Sequence, residues 1–236
     1  DGEHLSAVGG VQHFDGTRQQ AAKRTDKRNT GWFIHGQYEF DSLTLSAGAR
    51  SERVAYRHRQ PGAERLKDDE GLTSWDLGFN YRLAPPLSLF GNYNVAAQAP
   101  DIDRFFTLGG GFNGFIEPAK VKTLTLGLNH VTAVNRLKVA VFHARLKNEI
   151  YYFDSGNWID PSFNTNIDRS HKYGLELQDT WQISERLTGV LNYAWTRARI
   201  DREDEGGGAF DGKDLPGVPK HSLVLGLNVK VAALES

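Results

Sequence analysis

Residues 75–95 read WDLGFNYRLAPPLSLFGNYNV. Trp75, Leu77, Phe79 and Tyr81 fall on one parity, and Asp76, Gly78, Asn80 and Arg82 on the other. After the Pro85-Pro86 break the alternation resumes, with Leu87, Leu89, Tyr93 and Val95 set against Asn92 and Asn94. A period of two marks a strand with one apolar face, and proline is excluded from strand interiors. Two such runs around a tight break predict an antiparallel hairpin.

The pattern repeats in both directions. Trp32 to Phe40, Leu43 to Ala49, Leu124 to Leu128, Tyr173 to Trp181, Leu187 to Trp195 and Leu223 to Val231 all alternate. Leu5 to Phe14 does so more loosely, and Leu137 to Phe153 begins cleanly and then blurs. Ten strands and no helix are expected. Short turns fall at Asp41-Ser42, Pro85-Pro86, Thr132 to Arg136 and Ser184 to Arg186. Long connections are expected at 15–29, 57–73, 99–122, 154–170 and 201–219, so short and long alternate without a break. In an antiparallel meander this places the short turns at one end and the long loops at the other, as in an outer-membrane barrel.

Strands of about nine to eleven residues or more suit a tilted bilayer crossing. Tyr38, Phe40, Tyr81 and Trp181 lie towards the short turns, and Trp32, Trp75, Tyr173 and Trp195 towards the long loops. Amphipathic rings favour the headgroup level. The opposite parity carries Arg50, Asp76, Arg82 and Glu176. These charges are expected to face an enclosed lumen or a segment that plugs it, because lipid offers no hydrogen bonds. The predicted fold is all-β, an antiparallel transmembrane β-barrel. At its end, Val229 to Ser236 lacks a terminal aromatic strand residue and Ala232-Ala233 interrupts the pattern, so the ten strands are expected to belong to a larger wall.

Composition narrows the function. Lys+Arg 28 against Asp+Glu 29 gives a net charge of -1, so no global attraction to nucleic acid is indicated. Zero Cys removes disulfides, thiolate catalysis and Cys-based zinc sites. No run approaches 18 apolar residues, which excludes a transmembrane helix and leaves a barrel open. The start at Asp1 and the absence of Met suggest a mature or cut-down piece of a longer product.

From 97 to 222 motifs accumulate. Ala97-Gln98-Ala99-Pro100 resembles the "FRAP" segment of TonB-dependent outer-membrane receptors, with Ala-Gln for Phe-Arg. Ile116-Glu117-Pro118 resembles the family's "L-x-P-E" step, and Lys147-Asn148-Glu149-Ile150 its "K-x-x-I" ending. Tyr173-Gly174-Leu175-Glu176 resembles the "G-x-E" strand, and Leu215-Pro216-Gly217-Val218-Pro219-Lys220-His221 the "lP-x-vP-x-H" loop. Upstream, Leu43 to Arg50 resembles the "LtLsaGlR" strand. The resemblance implies a barrel of about 22 strands with a plugged lumen. Residues 1–236 would then be a partial barrel domain, without the plug or the segment engaged by TonB. It also implies an outer-membrane active-transport receptor for a scarce ligand, a ferric siderophore or cobalamin, energised by TonB. Implied partners are outer-membrane lipid, the receptor's own plug, the TonB complex and the ligand, with no nucleic acid. Haem is disfavoured, because the family's haem branch shows an intact "FRAP", an "NPNL" step and loop His.

Loop 99–122 holds Arg104, Phe105, Phe106, Phe112 and Phe115, either gripping a ligand at the lumen mouth or packing together on the rim. Loop 147–171 offers Tyr151, Tyr152 and Trp158, for a part-polar ligand or for interfacial anchoring. The basic run Lys23 to Arg28 is expected in a solvated loop, facing anionic lipopolysaccharide, and loop 201–210 is expected to be mobile. No catalytic set is expected: His143, His171 and His221 lack a recognisable nucleophile motif, and no GxSxG occurs. No cofactor or metal site is expected, since eight His show no close repeated spacing and His35 and His58 stand far apart. The alternatives are a passive porin or small ten-stranded barrel, which would show clustered Arg facing Asp/Glu beside an inward-folded loop, and a soluble β-sandwich lectin.

Overall fold

The computed structural model describes residues 4–154, 156 and 162–231; Trp158 and Ala232-Ala233 lie outside them. Ten strands form one sheet in chain order: β1 (His4–Gln20), β2 (Lys23–Phe40), β3 (Leu43–Arg59), β4 (Leu66–Ala84), β5 (Leu87–Gln98), β6 (Ala119–Val131), β7 (Asn135–Phe153), β8 (Phe163–Ser184), β9 (Leu187–Arg202) and β10 (His221–Val229). Every neighbouring pair is antiparallel. β1 and β10 are edges, so the sheet is open. Apart from one 3₁₀ turn at Ile102–Phe105, no helix occurs among the described residues.

The register decides which side chains share a face. Ile34 pairs with Ala49, Ala49 with Trp75, and Trp75 with Val95. Further along, Leu126 pairs with Val141, Val141 with Leu175, and Leu175 with Trp195. Direct partners lie on the same side of a pleated sheet. The apolar parities of the strands therefore merge into one outer face, and Arg50, Asp76, Arg82 and Glu176 share the inner one. The outer face is uncovered: Leu77 is 55% exposed and Leu225 70%. So large a continuous apolar surface exceeds what water tolerates on a soluble monomer. Both clusters of buried side chains pack on the inner side, the reverse of a soluble sandwich. From Trp181 to Tyr173 the apolar run of β8 rises about 27 Å along the strand, or roughly 20 Å at a tilt near 40°, close to a bilayer band.

Inner-face aromatics lie over glycines. Phe142 is paired with Gly174, where a Cβ would fall 2.9 Å from its ring. The nearer obstacle is backbone, the Trp195 carbonyl oxygen, so the "G-x-E" glycine is required by close approach of the neighbouring strand as well as of the ring.

The connections are shorter than the sequence suggests. The connection expected at 15–29 is a two-residue turn at Ala21-Ala22, with Ala21 at φ 51°, the left-handed backbone such hairpins need. The basic run Lys23 to Arg28 is therefore part of β2 and not a solvated loop. The 57–73 connection shrinks to 60–65, 154–170 to 154–162, 201–219 to 203–220 and 99–122 to 99–118. Beyond the apolar band both faces meet water or loops, so side-chain alternation fades while backbone pairing continues. Pattern reading finds where lipid ends, not where the strand ends.

Candidate functional site

Above the band, on the long-loop side, the inner face changes character. Val54 and Tyr56 on β3 and Leu72 on β4 are buried there, under loop 99–118. Phe105, fully buried, meets the Tyr56 ring edge-on at 4.9 Å between centroids and Phe115 at 5.2 Å. Phe112 stacks on His58 at 3.8 Å, and Phe106 is 6% exposed beneath the Arg18 guanidinium. Polar ties fix the loop's path. Tyr56 Oη donates to the Pro100 carbonyl at 2.6 Å, and Lys27 Nζ donates to the same oxygen at 2.8 Å. Arg18 pairs with Asp103 at 2.7 Å. The loop thus folds over the inner face and holds itself there through its Phe cluster.

Its other edge roofs a cavity of about 430 Å³ over β5–β8, lined by Gln98, Asp101, Arg104, Glu149, Ile150 and Lys172. Glu149 accepts hydrogen bonds from Ser170 Oγ at 2.6 Å and from Lys172 Nζ. By the alternation of Arg145 and Lys147, Glu149 would face outward. Asn148 at φ 55° reverses this, and Asn tolerates that left-handed backbone. Arg104 donates to Asn164 Oδ1 at 3.1 Å and, among the described residues, has no carboxylate within ion-pairing distance. It is an exposed cation at the cavity wall, in a volume suited to a small-molecule ligand.

On the far side, loop 203–220 pairs back along β9, Leu215 N donating to the Ala198 carbonyl at 3.0 Å. Ile167, Ala198, Ile200 and Leu215 make the second buried cluster. Glu203 is fully buried and accepts from Tyr151 Oη and from Gly206 N, both at 2.7 Å. The sequence predicts a mobile loop at 201–210; instead it is anchored at Glu203, with left-handed Gly207 and Gly208 making the tip. On its surface, Arg202 hydrogen-bonds Asp204 and Lys220 hydrogen-bonds Asp214, holding both carboxyls below the usual range.

The structure places the candidate residues as follows. Phe105, Phe106, Phe112 and Phe115 form one cluster that secures the loop, with Phe105 and Phe106 buried in it. Arg104 lines the cavity, Tyr151 is committed to Glu203, and Tyr152 is 41% exposed. Trp158 lies outside the described residues. Of the inner-face charges, Arg50 pairs with Glu52 at its own strand, and Arg82 donates to the Asp41 carbonyl at 2.7 Å. Sequence reading missed Glu149, Lys172, Lys27 and Glu203. The first sits inside a quoted motif, where the Asn before it was the available signal. Among the described residues no group of three His, Asp or Glu could hold a metal ion.

An uncovered apolar face of band height, a polar inner face and loops folded inward at one end define a segment of a transmembrane β-barrel wall. The sequence matches the family described as TonB dependent receptor-like, beta-barrel, over residues 4–231. The chain belongs to that family, whose proteins are outer-membrane receptors rather than enzymes. Among curated proteins, none matches it in sequence. Solved structures give the same fold. The copper transporter OprC superposes with a TM-score of 0.74 at 15% identity, over 97% of this chain and 40% of that one. The alcaligin outer-membrane receptor FauA from Bordetella pertussis gives 0.69 at 15%, over 98% and 40%. The siderophore receptor PiuA from Acinetobacter baumannii gives 0.68 at 16%, over 89% and 32%. The chain thus spans at most two-fifths of the length of these structures.

Proposed function

We infer that the chain is part of the wall of an outer-membrane active-transport receptor for a large, scarce ligand, a ferric siderophore in preference to cobalamin. The carrying observation is the inner-face cavity of about 430 Å³, with Arg104 on its wall lacking a carboxylate partner. An unmatched guanidinium favours an anionic chelate, whose oxygens it meets bidentately. In this reading Arg104 and Lys172 contact ligand, and Tyr152, which is 41% exposed, is a further candidate contact. Phe105, Phe106, Phe112 and Phe115 support the loop that presents Arg104, and Tyr151 supports the neighbouring wall. Arg50, Asp76, Arg82 and Glu176 face the lumen and the receptor's plug. Energy comes from the TonB complex acting on that plug, not from chemistry in this chain. The inward-folded loop suits a porin too, but the acids that share this cavity are engaged elsewhere, Glu149 by Ser170 and Lys172 and Asp101 by Lys27, and do not pair with Arg104.

The test is ligand binding by the full-length protein in detergent, read from tryptophan quenching by a ferric tris-catecholate and by cobalamin. Saturable binding of the ferric chelate is expected. Arg104→Gln should weaken it about tenfold, the loss of one charge-assisted contact. Unchanged affinity in that variant, or tighter binding of cobalamin, would reject the reading. Uptake of the radiolabelled chelate should cease in cells lacking TonB while surface binding persists.

A further inference from the structure

The outer face carries a second feature, just past the band. Lys122 on β6 is the direct partner of Arg145 on β7, Arg145 of His171 on β8, and His171 of Arg199 on β9. The next row repeats the arrangement, Lys120 opposite Lys147, Lys147 opposite Arg169, and Arg169 opposite Arg202. Like charges set directly opposite on a sheet repel. Carboxylates answer only one side of this block: Asp201 meets His171 at 2.7 Å, Asp214 lies 3.8 Å from Arg199, and Asp204 meets Arg202 at 2.8 Å. Lys120, Lys122, Arg145, Lys147 and Arg169 are exposed, and among the described residues none has a carboxylate within ion-pairing distance. The register fixes their depth. Lys122 is the direct partner of Val95, which pairs with Trp75, and Tyr173 pairs with Arg197. The cations therefore begin within a row of the last lipid-facing aromatics, at the level of headgroup phosphates. This is the long-loop side, which faces the outer leaflet.

We propose that the outer face of β6–β9 binds a phosphate-bearing glycolipid headgroup of the outer leaflet, with Lys122, Arg145, Lys147 and Arg169 as its phosphate contacts. Two rows of unanswered cations offer a planar, multivalent match to a multiply phosphorylated headgroup, and the repulsion they hold in the free protein is relieved on binding. The proposal rests on the outer-membrane placement inferred above and is independent of the transported ligand.

The experiment is native mass spectrometry of the full-length protein in detergent, with bis-phosphorylated lipid A, its dephosphorylated form, or inorganic phosphate. The wild type should retain the phosphorylated glycolipid over the dephosphorylated one by about tenfold or more, a preference that falls with salt. The variant K122Q/R145Q/K147Q/R169Q should lose that preference. Without lipid its melting temperature should equal or exceed the wild type's, because cross-strand repulsion is gone. The charge-preserving variant K122R/R145K should keep the preference. Equal retention of both glycolipids by the wild type, undiminished preference in the quadruple variant, or full competition by inorganic phosphate overturns the proposal while leaving the barrel reading intact. Recovery of the protein as a detergent-free soluble species overturns both.

Discussion

Past the apolar band, the β2–β4 end of the sheet and the β6–β9 end are finished in opposite ways. Over β2–β4 the inner face is sealed by Phe105, Phe106 and Phe112 against Val54, Tyr56 and Leu72. On its outer face three cations meet carboxylates, Arg28 with Asp15 at 2.9 Å, Arg24 with Asp26 at 2.8 Å and Arg57 with Asp69 at 3.2 Å, while Arg53 and Arg59 stand apart from these pairs. Over β6–β9 the inner face opens into the cavity beside Arg104, and the outer face leaves Lys122, Arg145, Lys147 and Arg169 unanswered. One end uses most of its polar and apolar groups up within the chain. The other leaves them available, and availability is what a binding surface needs. The contrast can be broken from either side.

The largest effect is expected at the sealed end. Phe105 has no exposed surface and touches Tyr56, Phe112 and Phe115. Phe105→Ala removes the centre of the cluster and should cost about 3–5 kcal/mol of the free energy holding loop 99–118 on the sheet. The loss is local, since the strands below keep their ladders, and it should show as rapid protease cleavage within 99–118 with the barrel intact. Cleavage at the wild-type rate would mean that the polar ties, not the ring cluster, hold the loop. Because the same loop presents Arg104, chelate binding should fall with it.

Tyr151 gives an intermediate effect and divides support from ligand contact. Its hydroxyl is one of two protein donors to the buried Glu203 carboxylate, whose second oxygen has no partner among the described residues. Tyr151→Phe leaves that charge less satisfied and should destabilise the loop 203–220 docking by about 1.5–3 kcal/mol. The measurement is hydrogen exchange at Gly212 and Leu215, whose amides donate to Ile200 and Ala198. Faster exchange with unchanged chelate affinity would confirm support; the opposite pattern would place Tyr151 in the ligand site.

What the sequence revealed follows the same division. In the lipid band every second residue is dictated by hydrocarbon, so Trp75 to Tyr81 could be read without ambiguity, and so could the four short turns. Beyond the band nothing enforces alternation. Lys23 to Arg28 reads as a loop although its backbone is paired throughout, with Lys27 turned in to Pro100 and Arg28 turned out to Asp15. The Phe cluster was legible as a cluster, because five aromatic or cationic groups in one glycine-rich loop need burial or a ligand. Which of the two applied depended on Tyr56 and Leu72, far away in sequence. The cationic rows were not legible, since they exist only through cross-strand register.

The smallest effect is expected where the matched end is made to resemble the unmatched one. Arg57 and Asp69 are partners at 3.2 Å, each side chain more than a third exposed. Asp69→Asn removes the carboxylate and keeps the shape. An exposed pair of this kind contributes about 0–0.5 kcal/mol once solvent screening is allowed for, so unfolding in detergent should barely change. Whatever change there is should disappear near 1 M salt, where the screening length falls to about 3 Å. The informative reading is retention of bis-phosphorylated lipid A. With Asp69 gone, Arg57 joins the neighbouring Arg59 and Arg53 as an unanswered cation on the outer parity of β3. A gain in retention, without any loss of stability, would show that carboxylate matching is what keeps β2–β4 silent. No gain would mean that a single freed guanidinium is too few, and that the paired rows of β6–β9 matter as rows.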